Sequence, residues 1–411
     1  MTVRLDDTTW LTRGPLGKLL AALDRDGEEA RVVGGAVRNV LLHRPPGEID
    51  VATTALPEEV TRRAAAAGFR PVPTGIEHGT VTVVVDGTGF EVTTLREDVE
   101  TFGRKAKVRF GRSWRKDAER RDFTLNALST SRDGTVHDFV GGLEDLRRHR
   151  VRFIGDAAAR IAEDYLRILR FFRFHAAYGE GAPDAAGLHA CIVAREGLRM
   201  LSRERVRAEL LKLLVAPGAA PTLAVMAEAG ILQEVLGGVP YLAALASLIA
   251  IEAVLGLAPD PLRRLAGLAA ALPEDAERLG QRLRLANVEH ERLAAMADGW
   301  WRVAPAMGES RARALLYRLG PEYYRDRVVL AWARSGAEAA DLSWRALATL
   351  PERWQAPEFP LKAAEFIARG IPKGPRLGQA LAAAEEEWIA AGFPEDASTL
   401  RAMLDQVVSE L

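Results

Sequence analysis

The chain has 411 residues, with 55 Lys or Arg against 56 Asp or Glu and a net charge of -1. This length implies two to four domains, and the balance excludes a polycation, so any nucleic-acid binding must rest on local basic patches. A single cysteine, Cys191, excludes an internal disulfide and a cysteine-based zinc site, and no HExxH pattern occurs among the 7 histidines. No run of about 18 apolar residues predicts a membrane span, and the start carries no signal pattern, so a cytoplasmic protein with no membrane partner is expected.

Residues 8–26 show helical apolar spacing, with Gly14-Pro15 as a start or a break. Val32-Val33 reads as a buried strand, Gly34-Gly35 as a sharp turn and 36–42 as a short helix. A glycine turn feeding a helix start offers N–H groups and a positive dipole end, which suits phosphate. The next stretch reads as a strand carrying Glu48 and Asp50. At i and i+2 the two carboxylates share a face, as they would to hold Mg²⁺ against a nucleoside triphosphate; the same pattern also occurs on solvated strands. Residues 56–69 read as a helix opened by Pro57 and closed by Gly68, and 79–85 with 90–95 as a hairpin around Asp86–Gly89. Glu91 on that hairpin is a third carboxylate within reach of the same face, or an exposed strand residue.

The segment 102–121 reads as basic and flexible, with Arg104, Lys105, Lys107, Arg109, Arg112, Arg115 and Lys116 interleaved with Phe102, Phe110 and Trp114. Cations mixed with aromatics suit a nucleic-acid end, as they also suit a solvated loop. It ends in Arg120-Arg121-Asp122, where arginines can neutralise phosphate and the acid can accept a ribose hydroxyl proton, or all can form an ionic turn. Residues 126–131 and 135–139 read as a second strand pair.

From about Ile161 strand signals vanish, and helices are expected at 158–178, 185–197, 203–215, 219–229, 240–256 and beyond, with the tryptophans after 300 as core anchors. In the first of these, Asp164, Arg167 and Arg170 recur at i, i+3 and i+6, the pattern of a solvated ion pair. It also has a chemical reading. Cytosine and adenine present an exocyclic amine beside a ring-nitrogen acceptor, which a carboxylate next to a guanidinium complements; uracil and guanine present the reverse order.

Taken in register, GGAVRN (34–39), EIDVATT (48–54), HGTV (78–81) with FEVTTLR (90–96), RRDFTLNAL (120–128), DFVGGLEDL (138–146), EDYLRILRFFRF (163–174) and SRERVRAELLKLL (202–214) resemble the class II tRNA nucleotidyltransferases, the CCA-adding enzymes, and the related bacterial poly(A) polymerases. The resemblance covers roughly 30–215. It implies an α+β fold: a polymerase-β-like nucleotidyltransferase head (1–155), then an all-α neck (156–220) that recognises the base, and an all-α body and tail (221–411) that bind tRNA. It implies attack of a tRNA 3′ hydroxyl on CTP or ATP with release of pyrophosphate. Gly34, Gly35 and Arg38 would hold the triphosphate; Glu48 and Asp50 would carry Mg²⁺ in a two-metal site, with Glu91 beside them. Arg121, Asp122 and Asn126 would meet the ribose, Asp164 and Arg167 the base, and Arg170 and Arg173 the phosphates. Arg104, Lys105, Arg109 and Arg112 would meet RNA. Two letters depart from the family pattern: Glu48 stands for its first metal aspartate, and Asn39 for the acid after Arg38. A partial CC- or A-adding enzyme, a poly(A) polymerase and a non-catalytic tRNA binder remain as alternatives.

Overall fold

The computed structural model describes residues 3–75, 79–102 and 105–410, and the side chains of these except at 97–108. They pack into two compact units, Met1–Val235 and Leu236–Leu411.

The first unit is built on strands β1 (Val3–Arg4), β2 (Ala30–Val33), β3 (Asp50–Thr53), β4 (Arg70–Gly75), β5 (Thr80–Val85), β6 (Thr88–Thr94), β7 (Arg96–Phe102), β8 (Lys105–Phe110), β9 (Ser129–Thr130) and β10 (Thr135–His137). Eight of them form one mixed sheet in the order β1-β10-β9-β2-β3-β6-β5-β4, and β7 and β8 pair separately. Among the described residues the one parallel pairing joins β3 to β6 and sets Asp50 opposite Glu91. β5 runs antiparallel to β6 with Thr82 opposite Glu91 and Val81 opposite Val92. The sheet therefore sorts its side chains by face. Val81, Val83, Val85, Phe90 and Val92 are buried on one side, against the helices Gly14–Leu23 and Pro57–Ala66. Leu16, Leu19, Leu20, Leu23 and Val60 of those helices are nearly or wholly buried, and each such side chain stabilises by about 1.5–3 kcal/mol. The opposite face carries Asp50 and Glu91 and stays open for chemistry.

The 8–26 stretch is helical and breaks where Gly14-Pro15 suggested: a short turn ends at Arg13, and the longer helix starts at Gly14, whose φ of +65° favours glycine. Three expectations change. Glu48 lies in a bend, because β3 begins only at Asp50. The segment expected to be flexible pairs as β7 and β8 and then forms the helix Trp114–Glu119, capped by Ser113. The 158–178 helix is two helices, Ala157–Glu163 and Leu166–Tyr178, separated at Asp164, which is extended at φ -157°.

The second unit is helical. Its longest helix, Gly308–Ser335, kinks at Gly320-Pro321, where Gly320 has φ +73° and proline removes a backbone donor. Trp332 is fully buried and stacks on Trp344 at 6.3 Å, and Trp388 packs edge-on against Phe393 at 5.0 Å. Trp301 is 48% exposed and is no core anchor. A buried ionic network crosses this core: Glu252 meets Arg263 and Arg264, and Asp326 meets Arg263 and Arg292. Among the described residues no helix is long and apolar enough to cross a membrane.

Candidate active site

One cleft of about 760 Å³ in the first unit collects every residue expected to meet nucleotide or metal: Gly34, Gly35, Arg38, Glu48, Asp50, Glu91, Arg121, Asp122, Asn126, Asp164, Arg167, Arg170 and Arg173. A larger cavity of 910 Å³ lies beside Phe153, Ile154 and His189 and contains none of them.

The cleft has a cationic end built on the glycine turn. Gly34 sits at φ +71°, and a Cβ there would stand 3.3 Å from Nη1 of Arg121. Glycine thus serves both the turn and the close approach of a guanidinium. The helix Gly35–Leu41 follows and delivers Arg38, which is only 6% exposed. Arg38 donates to Oδ1 of Asn126 (2.5 Å), Oδ1 of Asn39 (3.0 Å) and the Tyr178 hydroxyl (2.7 Å), and lies over the Tyr178 ring at 4.0 Å. These partners are neutral, so its charge stays available to an anion. Burial, more than any neighbouring charge, brings its pKa down to about 10, which still leaves it cationic at neutral pH. Arg120 and Arg121 both rest on the buried carboxylate of Asp117, at 2.7 and 3.3 Å.

The carboxylates stand next to the glycine turn, because Val33 pairs with Asp50 across β2 and β3. Asp50 opens β3 and faces Glu91 across the parallel pair, and Glu48 lines the same cleft from the bend before it. Desolvation by the cleft walls raises the Asp50 pKa first; the charges of Glu48 and Glu91 raise it further, and Arg121 opposes them. This group of carboxylates therefore concentrates negative charge that a cation would relieve. Among the described residues no three acidic, histidine or cysteine side chains converge into a ready-made cage. Glu48 and Asp50 could hold a divalent cation of the kind that takes one or two carboxylates together with substrate phosphates.

The same cleft holds a chain of ion pairs. Oδ2 of Asp122 accepts Nε and Nη2 of Arg170 at 2.8 and 2.5 Å, while Oδ1 accepts the Phe123 N–H (2.9 Å) and Nδ2 of Asn126 (3.1 Å). Burial alone would raise the Asp122 pKa; Arg170 and the hydrogen bonds outweigh it and hold the carboxyl below its ordinary value. Arg170 also approaches Glu209 at 3.9 Å, and Arg173 is paired with that same buried glutamate.

Asp164 does not share a helix with Arg167, as the i, i+3 spacing suggested. It precedes the Leu166–Tyr178 helix and accepts the Leu166 N–H at 3.1 Å, the role that aspartate favours at helix starts. Its other oxygen pairs with Arg205 at 2.6 Å. Arg167 donates to the Arg160 carbonyl (2.7 Å) and pairs with Glu163. Both residues still face the cleft.

Sequence reasoning missed Tyr178, Asp117, Arg205 and Glu209. The last two lie four apart on the helix Arg203–Leu214, the stretch 202–214 singled out for its family resemblance, and that spacing was the available signal. Of the expected RNA contacts, Arg104 and the side chain of Lys105 lie outside the described residues. Arg109 is exposed. Arg112 pairs with Glu28 at 2.7 Å and donates to the Gly27 carbonyl, but it is 58% exposed, and a surface pair of this kind holds it by only about 0–1 kcal/mol. Trp114 is not an open stacking platform: it packs on Val33, Ala52 and Leu95, with the Arg31 guanidinium 4.0 Å from its ring centre.

Residues 30–152 match the family described as the poly A polymerase head domain, and residues 188–245 match the probable RNA and SrmB- binding site of polymerase A. The chain is 33% identical over 387 residues to the mitochondrial CCA tRNA nucleotidyltransferase 1 of Mus musculus, covering 92% of this chain and 87% of that one. It is 32% identical over 398 residues to the CCA-adding enzyme of Limosilactobacillus fermentum, covering 94% and 95%. The Danio rerio mitochondrial enzyme is 46% identical over 208 residues, about half of each chain (50% and 48%). Among solved structures, the Bacillus stearothermophilus CCA-adding enzyme in complex with CTP superposes with a TM-score of 0.73 at 27% identity, over 97% of this chain and 99% of that one. By sequence over nearly its full length and by fold, this chain belongs to the family of CCA-adding tRNA nucleotidyltransferases.

Proposed function

We propose that the cleft adds C, C and A in turn to the 3′ end of a tRNA from CTP and ATP, with each part of the nucleotide met by its own side chains. The observation that carries this reading is the cleft that joins three carboxylates, arginines around a glycine turn, and Asp164 together with Arg167. Relatives of this chain are named as CCA-adding enzymes, and one solved relative holds CTP.

In this reading Gly34, Gly35, Arg38 and Arg121 receive the triphosphate. Asp122 and Asn126 frame the ribose, and Asp164 with Arg167 meets the amine and ring nitrogen of cytosine or adenine. Arg170 and Arg173 meet the phosphates. The tRNA 3′ oxygen forms a bond to the α-phosphorus as the bond to the β-phosphate oxygen breaks and pyrophosphate leaves. The hydroxyl proton passes to the acidic side of the cleft, where Glu91 stands beside Asp50. Glu48 and Asp50 would hold Mg²⁺, which when bound supplies charge neutralisation at the attacking and leaving oxygens. Arg104, Lys105, Arg109 and Arg112 guide the RNA end. Residues 1–155 act as the head, 156–220 as the base-reading neck and 221–411 as the tRNA-binding body and tail. A cytoplasmic location completes the reading, consistent with a lone, buried cysteine; fractionation tests it.

The experiment is incubation of tRNA lacking its CCA end with labelled CTP and ATP, separately and together, in Mg²⁺. Two additions from CTP and one more when ATP is present are expected. CC alone or A alone would make it a partial enzyme, extension past one A a polymerase, and retention of tRNA without extension a binder.

A further inference from the structure

We propose that Asn39 is a positioning residue for Glu48: its carboxamide pins the loop that carries the first acidic side chain to the Arg38 guanidinium. The inference rests on the reading of Glu48 as a cation-holding carboxylate.

Asn39 lies near the end of the Gly35–Leu41 helix, and it clasps the following loop at both ends. Its main-chain carbonyl accepts the N–H of Leu42 at 3.0 Å and of Arg44 at 2.9 Å. Its side-chain Nδ2 donates to the Pro46 carbonyl at 3.2 Å. Its Oδ1 accepts Nη2 and Nε of Arg38 at 3.0 and 3.3 Å and the Tyr178 hydroxyl at 3.4 Å. Glu48 follows Pro46 by two residues, in the bend before β3. The loop is otherwise mostly exposed and turns through left-handed backbone at His43 (φ +55°) and Gly47 (φ +73°). A Cβ on Gly47 would stand 3.6 Å from Nδ2 of Asn39, so loop and carboxamide are fitted to each other.

The side chain at 39 must therefore accept on one side and donate on the other. Asparagine does both; an aspartate accepts only. An aspartate would strengthen the bond to Arg38 yet set an oxygen against the Pro46 carbonyl, and the loop would be pushed off. Glu48 has one more rotatable bond than an aspartate, so its carboxylate is held in place only if its backbone is. The two departures from the family pattern thus form one device. Asn39 fixes the base of a longer arm, and it ties that base to Arg38.

The test measures Mn²⁺ binding to nucleotide-free protein by electron paramagnetic resonance, with hydrogen exchange of the loop alongside. Glu48→Gln is expected to weaken Mn²⁺ binding with the loop's exchange unchanged. Asn39→Ala, which alters no charge, is expected to weaken it about tenfold and to speed exchange at Arg44 and Gly47. The double variant should bind no more weakly than Glu48→Gln alone. Asn39→Asp keeps the shape and the Arg38 contact, so it stays folded if Asn39→Ala does not; its loop exchange should rise, and kcat should fall with KM for CTP little changed. Mn²⁺ binding unaffected by Glu48→Gln would overturn the reading of Glu48. If Glu48→Gln weakens binding but Asn39→Ala leaves it intact, or if the two losses multiply in the double variant, the positioning role is overturned.

Discussion

Replacing Asp122 by asparagine removes one charge at the junction between the ribose and phosphate regions of the cleft. The carboxylate is 10% exposed and its partner Arg170 31%. One oxygen accepts two Arg170 N–H groups and the other accepts Phe123 N–H and Asn126 Nδ2. Asparagine has a single acceptor oxygen, so its amide must point a donor either at Arg170 or at the Phe123 N–H. Breaking a fully buried pair costs about 3–5 kcal/mol, and charge-assisted hydrogen bonds about 1.5–3. With Arg170 a third exposed, about 2–3 kcal/mol is expected. The folded pKa of Asp122 lies below its unfolded value. Its contribution is therefore present above the unfolded pKa, about 3.9, and is lost as pH falls through the folded one. The variant should lack that part of the acid sensitivity. Urea unfolding read by hydrogen exchange in 120–130 and 166–178 follows this unit apart from the tryptophan-rich second one. Unchanged protection at pH 7 in the variant, or an unchanged acid profile, would refute the assignment of Asp122 as the anchor of Arg170.

Asp50→Asn is expected to abolish nucleotide addition yet raise the melting temperature of the metal-free protein at pH 7. Its raised pKa means that the ionised form is disfavoured in the fold, by burial and then by Glu48 and Glu91; calorimetry with an incorporation assay checks both signs. Gly34→Ala meets a φ of +71° and the Arg121 guanidinium at 3.3 Å, so about 1–2 kcal/mol of destabilisation and weaker binding of CTP are expected, read by melting and equilibrium dialysis. In the second unit, Asp326→Asn strips the charge shared by Arg263 and Arg292, whose contacts are 2.8 and 2.6 Å. A loss of about 3–5 kcal/mol is expected, with exchange rising around 263 and 292 while CTP binding by the first unit is unchanged.

Much of the site was legible because its chemistry is local. Gly34-Gly35, the arginines around 121 and the carboxylate of Asp50 are each recognisable within a few residues. What was not legible depends on partners distant in the chain. The pairing of Asp50 with Glu91 follows from a parallel register between β3 and β6, which no local pattern specifies. β3 starts two residues after Glu48 because its ladder to β2 ends at Val33–Asp50; the Pro45-Pro46-Gly47 stretch was the local hint of a bend. The helix break at Asp164 was hidden by an apolar period that runs on through Leu166 and Leu169, although aspartate's preference for helix starts pointed to it. The β7–β8 hairpin was hidden by its charged residues, which mask alternation.

We propose that Asp164 and Arg167 read the base edge in this cleft. The most direct test compares kcat/KM for UTP and CTP on tRNA lacking its CCA end, in the wild type and in Asp164→Asn. A carboxylate only accepts, and so favours the amine of cytosine and opposes the O4 of uracil; an asparagine can donate to O4, while Arg167 still opposes the uracil N3–H. The ratio of kcat/KM for CTP over UTP is expected to be large in the wild type and to narrow in Asp164→Asn. An unchanged ratio in a folded variant that still uses CTP would contradict base reading by Asp164.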